Sequence, residues 1–159
     1  MKQIEMIPSS IALPLPDDEY IATRTKGWRV SLPADFKEFV KHFGGGCPAV
    51  RTFVADGHEW AIDRFLCILR GYADHPLGDY DIGVVWSQLD ERLGEDPDAL
   101  GAEMVPIVVL FAGDYVCLDY RASQDEPSVV VWLHEESEYL SPVVRPVAAT
   151  FTEFLELIK

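Results

Sequence analysis

Apolar residues recur at helical spacing in several stretches of the chain. Residues 33–43 show it most clearly, because four apolar side chains there follow the i, i+3, i+4, i+7 pattern of a helix with one buried face. The same spacing predicts helices over residues 82–93 and 151–158. Acids at the start of residues 17–28, with Gly27 as the stop, predict a shorter helix there.

Shorter apolar segments between these helices predict a β-sheet. Residues 105–111 are continuously apolar, which is typical of a strand covered on both faces. Asp56 and Gly57 separate two apolar segments and predict a hairpin turn. Further strands are expected over residues 115–120, 128–134 and 143–148. Pro146 places the last strand at a sheet edge, since proline cannot donate a ladder hydrogen bond.

The order of these elements favours one α+β domain. It runs helices, hairpin, helix, strand meander and helix, and it lacks the regular βαβα alternation of a doubly wound fold. We expect a mixed or mostly antiparallel sheet of about five to six strands packed with about four helices over residues 17–159. Residues 1–16 carry three prolines and predict an extended arm, held to the surface by Ile11, Leu13 and Leu15.

Composition and charge limit the classes of protein to which this chain could belong. The 159 residues are 48% hydrophobic, which suits one globular domain, and no apolar run approaches the length of a membrane span or a signal peptide core. We therefore expect a cytoplasmic protein. A net charge of −14 argues against binding nucleic acid or anionic lipid. The same charge is expected of a protein that captures a basic partner. It is equally expected of a protein whose acidic surface serves only to keep it soluble.

Motifs for catalysis, cofactors and metals are missing from the sequence. There is no G-x-S-x-G, no H-x-x-x-H or H-E-x-x-H, and no G-K-[ST] after the glycines at 44–46. The three cysteines cannot all pair and form no C-x-x-C, so we interpret them as core thiols. We expect a protein that is not an enzyme and that has no cofactor or metal site.

Three acidic segments remain as candidates for function. Asp74, Asp79 and Asp81 lie close together and could form an acid/base or cation site, although a role for Asp79 or Asp81 as the N-cap of the following helix is favoured. The other two segments contain Glu91, Glu95, Asp96, Asp98 and Glu103, and Glu135, Glu136 and Glu138. Acids spread over several loops fit a charged recognition face better than one catalytic centre.

Asp114 and Asp119 form a pair that invites a catalytic interpretation. Gly113 and Asp114 predict a turn, and five residues of extended strand place the two carboxylates about 16 Å apart. That distance excludes a shared metal or proton. Strand alternation puts Tyr115, Cys117 and Asp119 on one face and the residues between them on the other.

The order of these motifs resembles the SUKH superfamily, which includes fungal cell-wall synthesis regulators and bacterial toxin-immunity proteins. The resemblance covers roughly residues 17–158. It rests on Leu32-Pro33 with Phe36, Phe39 and Val40; Gly44-Gly45-Gly46; Ile107-Val108-Val109 with Gly113-Asp114; Leu118-Asp119-Tyr120; and residues 150–155, TFTEFL.

The resemblance implies a single α+β domain without catalytic activity. It also implies an immunity-type protein that binds and neutralises a cognate bacterial toxin domain, such as a nuclease or deaminase, encoded nearby. An acidic face would suit the basic groove with which a nuclease holds phosphates. The alternative is a general cytosolic interaction or regulatory scaffold without a toxin partner.

Aromatic and acidic residues on the meander are the first choice for the protein interface. Interfaces favour large aromatic anchors with a charged rim. This predicts contacts from Asp114, Tyr115, Asp119, Tyr120 and Trp132. The second choice is Asp79, Tyr80 and Asp81.

Overall fold

The structure, a computed structural model, describes residues 2–159, apart from the side chain of Asp90. The helices are α1 (Asp18–Trp28), α2 (Ala34–Phe43), α3 (Ile82–Leu89) and α4 (Phe151–Leu157). The strands are β1 (Thr52–Ala55), β2 (His58–Phe65), β3 (Met104–Leu110), β4 (Tyr115–Asp119), β5 (Ser128–Trp132) and β6 (Val144–Ala148). Among the helices of residues 2–159, none has the length and apolar character needed to cross a bilayer.

The strands form one sheet in which each pairs antiparallel with its neighbour in sequence, in the order β1-β2-β3-β4-β5-β6. This confirms the predicted α+β class. The β1–β2 hairpin turns at Asp56 and Gly57, whose φ angles of 49° and 74° are both positive, as a two-residue turn of the primed type requires. β6 lies at the sheet edge, as Pro146 predicted.

The main core lies between the sheet and a layer of aromatic side chains from α2 and α4. Phe36 and Phe39 of α2 meet Phe151 of α4 with ring centroids 5.0 and 5.1 Å apart. Phe39 also contacts Phe65 of β2 at 4.8 Å. The helical stripes of the sequence are therefore core contacts, at crossings that favour edge-on aromatic packing.

A smaller core covers the opposite face of β4 and β5. Cys117 and Trp132 pack there with Leu93, while Val116 and Leu118 point into the main core. The predicted alternation of β4 is thus confirmed. Leu93 comes from the short 3-10 turn Asp90–Leu93 that follows α3, so the predicted 82–93 helix ends as an α-helix at Leu89.

Helix ends are capped largely as the sequence indicates. Asp17 accepts the backbone N–H of Tyr20 at 2.8 Å and begins α1. α1 ends at Trp28, the last residue of the predicted range, and Arg29 takes the left-handed conformation at φ 56° in place of Gly27. At α4, the Thr150 hydroxyl accepts the N–H of Glu153 at 3.1 Å and caps the helix.

The first residues of the chain lie against the domain through Ile11, which was expected, and through other side chains that were not. Ile4, Met6 and Ala12 are buried, whereas Leu13 and Leu15 are 59% and 42% exposed. Backbone hydrogen bonds from Ile7 to Cys47 and from Ala49 to Glu5 explain this, because pairing of residues 5–7 with that segment turns Ile4 and Met6 inward.

Candidate functional site

The meander gathers its connections at two ends of the sheet. We call the end formed by residues 56–57, 111–114 and 133–143 the hairpin end, and the end formed by residues 95–103 and 120–127 the opposite end. Asp114 directly precedes β4, and Asp119 is the last residue of β4, so the two lie at different ends of the strand. The structure therefore does not bring them together, in agreement with the argument from strand length.

Asp114 fixes the hairpin end. Its carboxylate accepts the backbone N–H of His134 at 2.8 Å, which ties the β3–β4 turn to the segment after β5. Its carbonyl accepts the N–H of Leu110 at 2.9 Å and closes the turn. Ala112 and Gly113 take left-handed conformations there, at φ 73° and 94°. The turn is therefore held in one shape.

Trp132, proposed as an interface anchor, is a core residue. Its side chain is 0% exposed, and its indole N–H donates to the carbonyl of Arg92 at 3.0 Å. The guanidinium of Arg92 lies 5.0 Å from the Trp132 ring. Tyr115 is half-buried beside it, 6.2 Å between ring centroids, and burial raises the pKa of the Tyr115 phenol. The interface expectation for Trp132 is replaced by a structural role.

Asp119 and Tyr120 are occupied by contacts within the chain. Both carboxylate oxygens of Asp119 accept hydrogen bonds from Arg121 at 3.0 Å, and Arg121 also pairs with Glu95. Tyr120 is 5% exposed, and its hydroxyl donates to the carbonyl of Ser31 at 2.8 Å. Burial raises the pKa of Tyr120. These two residues hold the opposite end together and offer little surface to a partner.

Asp81 is the most deeply embedded of the candidate acids. It is 0% exposed and receives two hydrogen bonds from Arg24, at 2.9 and 2.5 Å. It also accepts the backbone N–H groups of Leu69 at 2.9 Å and of Gly83 at 2.9 Å, the latter at the start of α3. Asp81 is therefore the helix cap that the sequence favoured, and its place in a protein interface is ruled out by burial.

Arg24 is held beside Asp81 by hydrogen bonds and by contacts with aromatic rings. Burial works against its charge, and the hydrogen bonds to Asp81 outweigh that cost, so the pKa of Arg24 lies above its ordinary value. Its guanidinium lies 4.6 Å from the ring of Tyr72 and 5.4 Å from that of Trp28. The cluster joins α1, the start of α3 and the segment between β2 and α3.

Asp79 and Tyr80 differ in their exposure to solvent. Asp79 is exposed, whereas Tyr80 is half-buried beneath the guanidinium of Arg64, 4.4 Å from its ring. Four of the predicted contact residues keep at least partial access to solvent without a salt bridge among residues 2–159: Asp79, Tyr80, Asp114 and Tyr115. They do not form one continuous surface, because Asp79 lies in the connection between β2 and α3.

Two clefts open at the ends of the sheet. The cleft at the opposite end has a volume of about 670 Å³ and is lined in part by Arg29, Asp98, Leu100, Arg121 and Asp125. The cleft at the hairpin end has a volume of about 330 Å³. It is lined by His58, Trp60, Ala112, Asp114, Leu133, Glu135, Glu136 and Arg145.

The hairpin-end cleft was missed by the sequence argument. Trp60 is half-buried, with one part in the core and one part lining the cleft. The acidic segment at Glu135 and Glu136 was recognised, but nothing local placed it beside Trp60. The predicted hairpin at residues 56–57 was the available signal, because a meander brings alternate turns to the same end.

The described residues give no arrangement that would hold a metal ion. Among residues 2–159, no three His, Cys, Asp or Glu side chains converge as ligands. Cys67 and Cys117 are buried, and burial raises the pKa of the Cys67 thiol to about 12. A thiol held protonated in this way is a poor nucleophile near neutral pH.

Comparison with known proteins identifies the family. The curated proteins and the solved structures each gave no match. The family model SUKH_6, described as SMI1-KNR4 cell-wall, matches residues 18–155, from the first turn of α1 to the middle of α4. The match spans every strand of the meander, the first three helices and most of α4, so the chain belongs to the SUKH superfamily.

Proposed function

We propose that this protein is an immunity-type binding protein that neutralises a cognate bacterial toxin domain by direct contact. The observation that carries the proposal is the SUKH family match over residues 18–155. Proteins of this family are generally immunity or regulatory proteins and not enzymes. We place its action in the cytoplasm, where a toxin made by the same cell would have to be blocked.

Charge supports a basic partner such as a nuclease domain. The chain carries 27 acidic against 13 basic residues, for a net charge of −14. A nuclease needs a basic groove for phosphates, and an acidic protein is steered toward that groove and competes for it. Electrostatic attraction of this kind raises the association rate more than the final affinity.

The distribution of acids on the surface also supports binding through carboxylates. Glu135, Glu136 and Glu138 at the hairpin end are exposed, as are Asp125 and Glu126 at the opposite end. None of the five forms a salt bridge with another part of residues 2–159. These carboxylates are available to cations of another molecule.

A regulatory interaction module without a toxin partner is the second candidate. The description of the matching family as cell-wall favours it. Such a module would bind host proteins unrelated to toxins, and affinity capture with the full chain would retrieve them.

Co-expression with the toxin gene adjacent to this gene tests the proposal. We expect restored growth and a complex that copurifies in a fixed ratio. The association rate should fall steeply as ionic strength rises, because salt screens the attraction between exposed charges. Continued toxicity without a complex would refute the immunity role, and a rate insensitive to salt would refute electrostatic steering.

A further inference from the structure

The hairpin-end cleft combines apolar contact area with carboxylates that the chain leaves without a cation. Trp60 and Leu133 provide half-buried apolar surface in its lining. Glu135 and Glu136 line the same cleft and form no salt bridge with other parts of residues 2–159. Arg145 also lines it, but its guanidinium pairs with Asp56 at 3.4 Å.

Hydrogen bonds hold in place the segments that carry and flank the lining residues of this cleft. Arg92 donates two hydrogen bonds to the carbonyl of Ser137, at 3.2 and 3.1 Å. The hydroxyl of Ser137 accepts the N–H of Val143 at 2.9 Å. On the other side, Asp114 holds the N–H of His134. A binding surface fixed in this way loses little conformational entropy when it is occupied.

Exposed aromatic side chains extend the apolar surface of the same end. Phe111, directly before Ala112 in the cleft wall, is 54% exposed. Tyr139, three residues after Glu136, is 64% exposed. Large aromatic side chains are costly to leave in water and are typical of protein contact surfaces, especially beside a charged rim.

Arginine matches this combination better than lysine. A guanidinium is planar, packs against aromatic rings and donates paired hydrogen bonds to carboxylates. The chain already holds its own arginines in this manner. Arg24 lies 4.6 Å from the Tyr72 ring while it pairs with Asp81, and Arg92 lies 5.0 Å from the Trp132 ring.

We propose that the hairpin-end cleft binds an arginine side chain from a basic segment of a partner protein, against Trp60 and between the carboxylates of Glu135 and Glu136. This assignment rests on the proposed function, because it takes the occupant to be part of a protein partner. A second copy of this chain is a poorer occupant, since two molecules of net charge −14 repel each other.

The test uses the full chain labelled with ¹⁵N and the probe acetyl-Gly-Arg-Gly-amide. The matched probe replaces arginine with citrulline, which has nearly the same shape and no charge. We expect the arginine probe to shift the indole N–H signal of Trp60 and the amide signals of Ala112 and Leu133. The citrulline probe should leave them in place, because it cannot form the charged hydrogen bonds.

Paired variants separate a local site from general attraction to an acidic protein. Glu135→Gln with Glu136→Gln should weaken binding of the arginine probe at least about fivefold. Asp125→Asn with Glu126→Gln changes the net charge equally at the opposite end and should alter the affinity less than about twofold. All four side chains are exposed, so folding is preserved in both variants.

The outcomes distinguish this inference from the immunity role. No shift at Trp60, equal shifts with citrulline, or equal weakening by the two paired variants would overturn the cleft assignment, even if the toxin is neutralised. Localised binding that Glu135→Gln with Glu136→Gln abolishes would support the assignment. If that result came with no rescue from the neighbouring toxin, the cleft would stand and the immunity role would be refuted.

Discussion

Replacement of Asp81 by alanine should destabilise the fold severely. The change removes the acceptor for two hydrogen bonds from Arg24 and leaves that guanidinium, 13% exposed, without its partner. It also removes the cap that holds the N–H of Gly83 and the acceptor for the N–H of Leu69. Breaking a buried ion pair on one side costs about 3–5 kcal/mol, which here includes a cap of about 1 kcal/mol.

That cost is a large part of the total stability of a domain. Ordinary domains unfold with about 5–15 kcal/mol, and for a chain of this size each kcal/mol lowers Tm by roughly 2–4 °C. We therefore expect Asp81→Ala to lower Tm by roughly 6–20 °C.

Urea unfolding followed by tryptophan fluorescence, with calorimetry for Tm, measures this effect. Asp79→Asn is the matched control, because Asp79 is exposed two residues earlier, and its change should stay within about 0.5 kcal/mol. A loss below about 1 kcal/mol in Asp81→Ala would refute the structural reasoning. If Asp81→Ala kept full stability and lost partner binding, Asp81 would instead be assigned to the interface.

Three further predictions concern the turn, the buried thiols and β4. Ala112→Gly should raise the free energy of unfolding by about 0.5–1 kcal/mol, because Ala112 sits at φ 73°; a lower Tm would contradict this. Burial raises the pKa of Cys67 to about 12 and that of Cys117 as well, whereas the unfolded chain releases these protons near pH 9.0. The folded state therefore holds protons that the unfolded state has lost, so stability should decline as pH rises above about 9, by up to roughly 1.4 kcal/mol per pH unit for each thiol. Urea unfolding between about pH 8 and 10.5 in reductant checks this, and a slope unchanged by replacing both cysteines with alanine would argue against it. Asp119→Lys should cost roughly 1–3 kcal/mol, since it sets a second cation against Arg121; an unchanged melting curve would show that the pair contributes nothing.

The helices and strands could be predicted because their signals are local. The phenylalanines of α2 repeat at helical spacing, and Asp56-Gly57 permits the positive φ angles that the hairpin needs. The end of α1 was harder. Gly27 was the obvious stop, yet Arg29 takes the left-handed position, where its N–H bonds back to the carbonyl of Lys26.

The role of Trp132 could not be predicted, because it depends on contacts distant in sequence. In the structure, Trp132 of β5 pairs with Tyr115 of β4 and packs on the same face as Cys117. Whether that face meets solvent or protein depends on Leu93 and Arg92, about forty residues earlier, and no local pattern reports that packing.

The different roles of Asp79 and Asp81 also depend on contacts distant in sequence. Both precede α3, and either could have capped it on spacing alone. The difference lies in Arg24, which approaches Asp81 from α1, 57 residues earlier. Burial of one aspartate and exposure of the other is therefore a tertiary effect, which a sequence pattern can suggest and not decide.

Calorimetric titration of this protein into the purified toxin domain encoded beside its gene tests the immunity role most directly. We expect saturable binding at a fixed ratio, loss of toxin activity at the same equivalence point, and weaker binding for Glu135→Gln with Glu136→Gln than for Asp125→Asn with Glu126→Gln. An absence of binding heat, with the toxin fully active in excess of this protein, would contradict it.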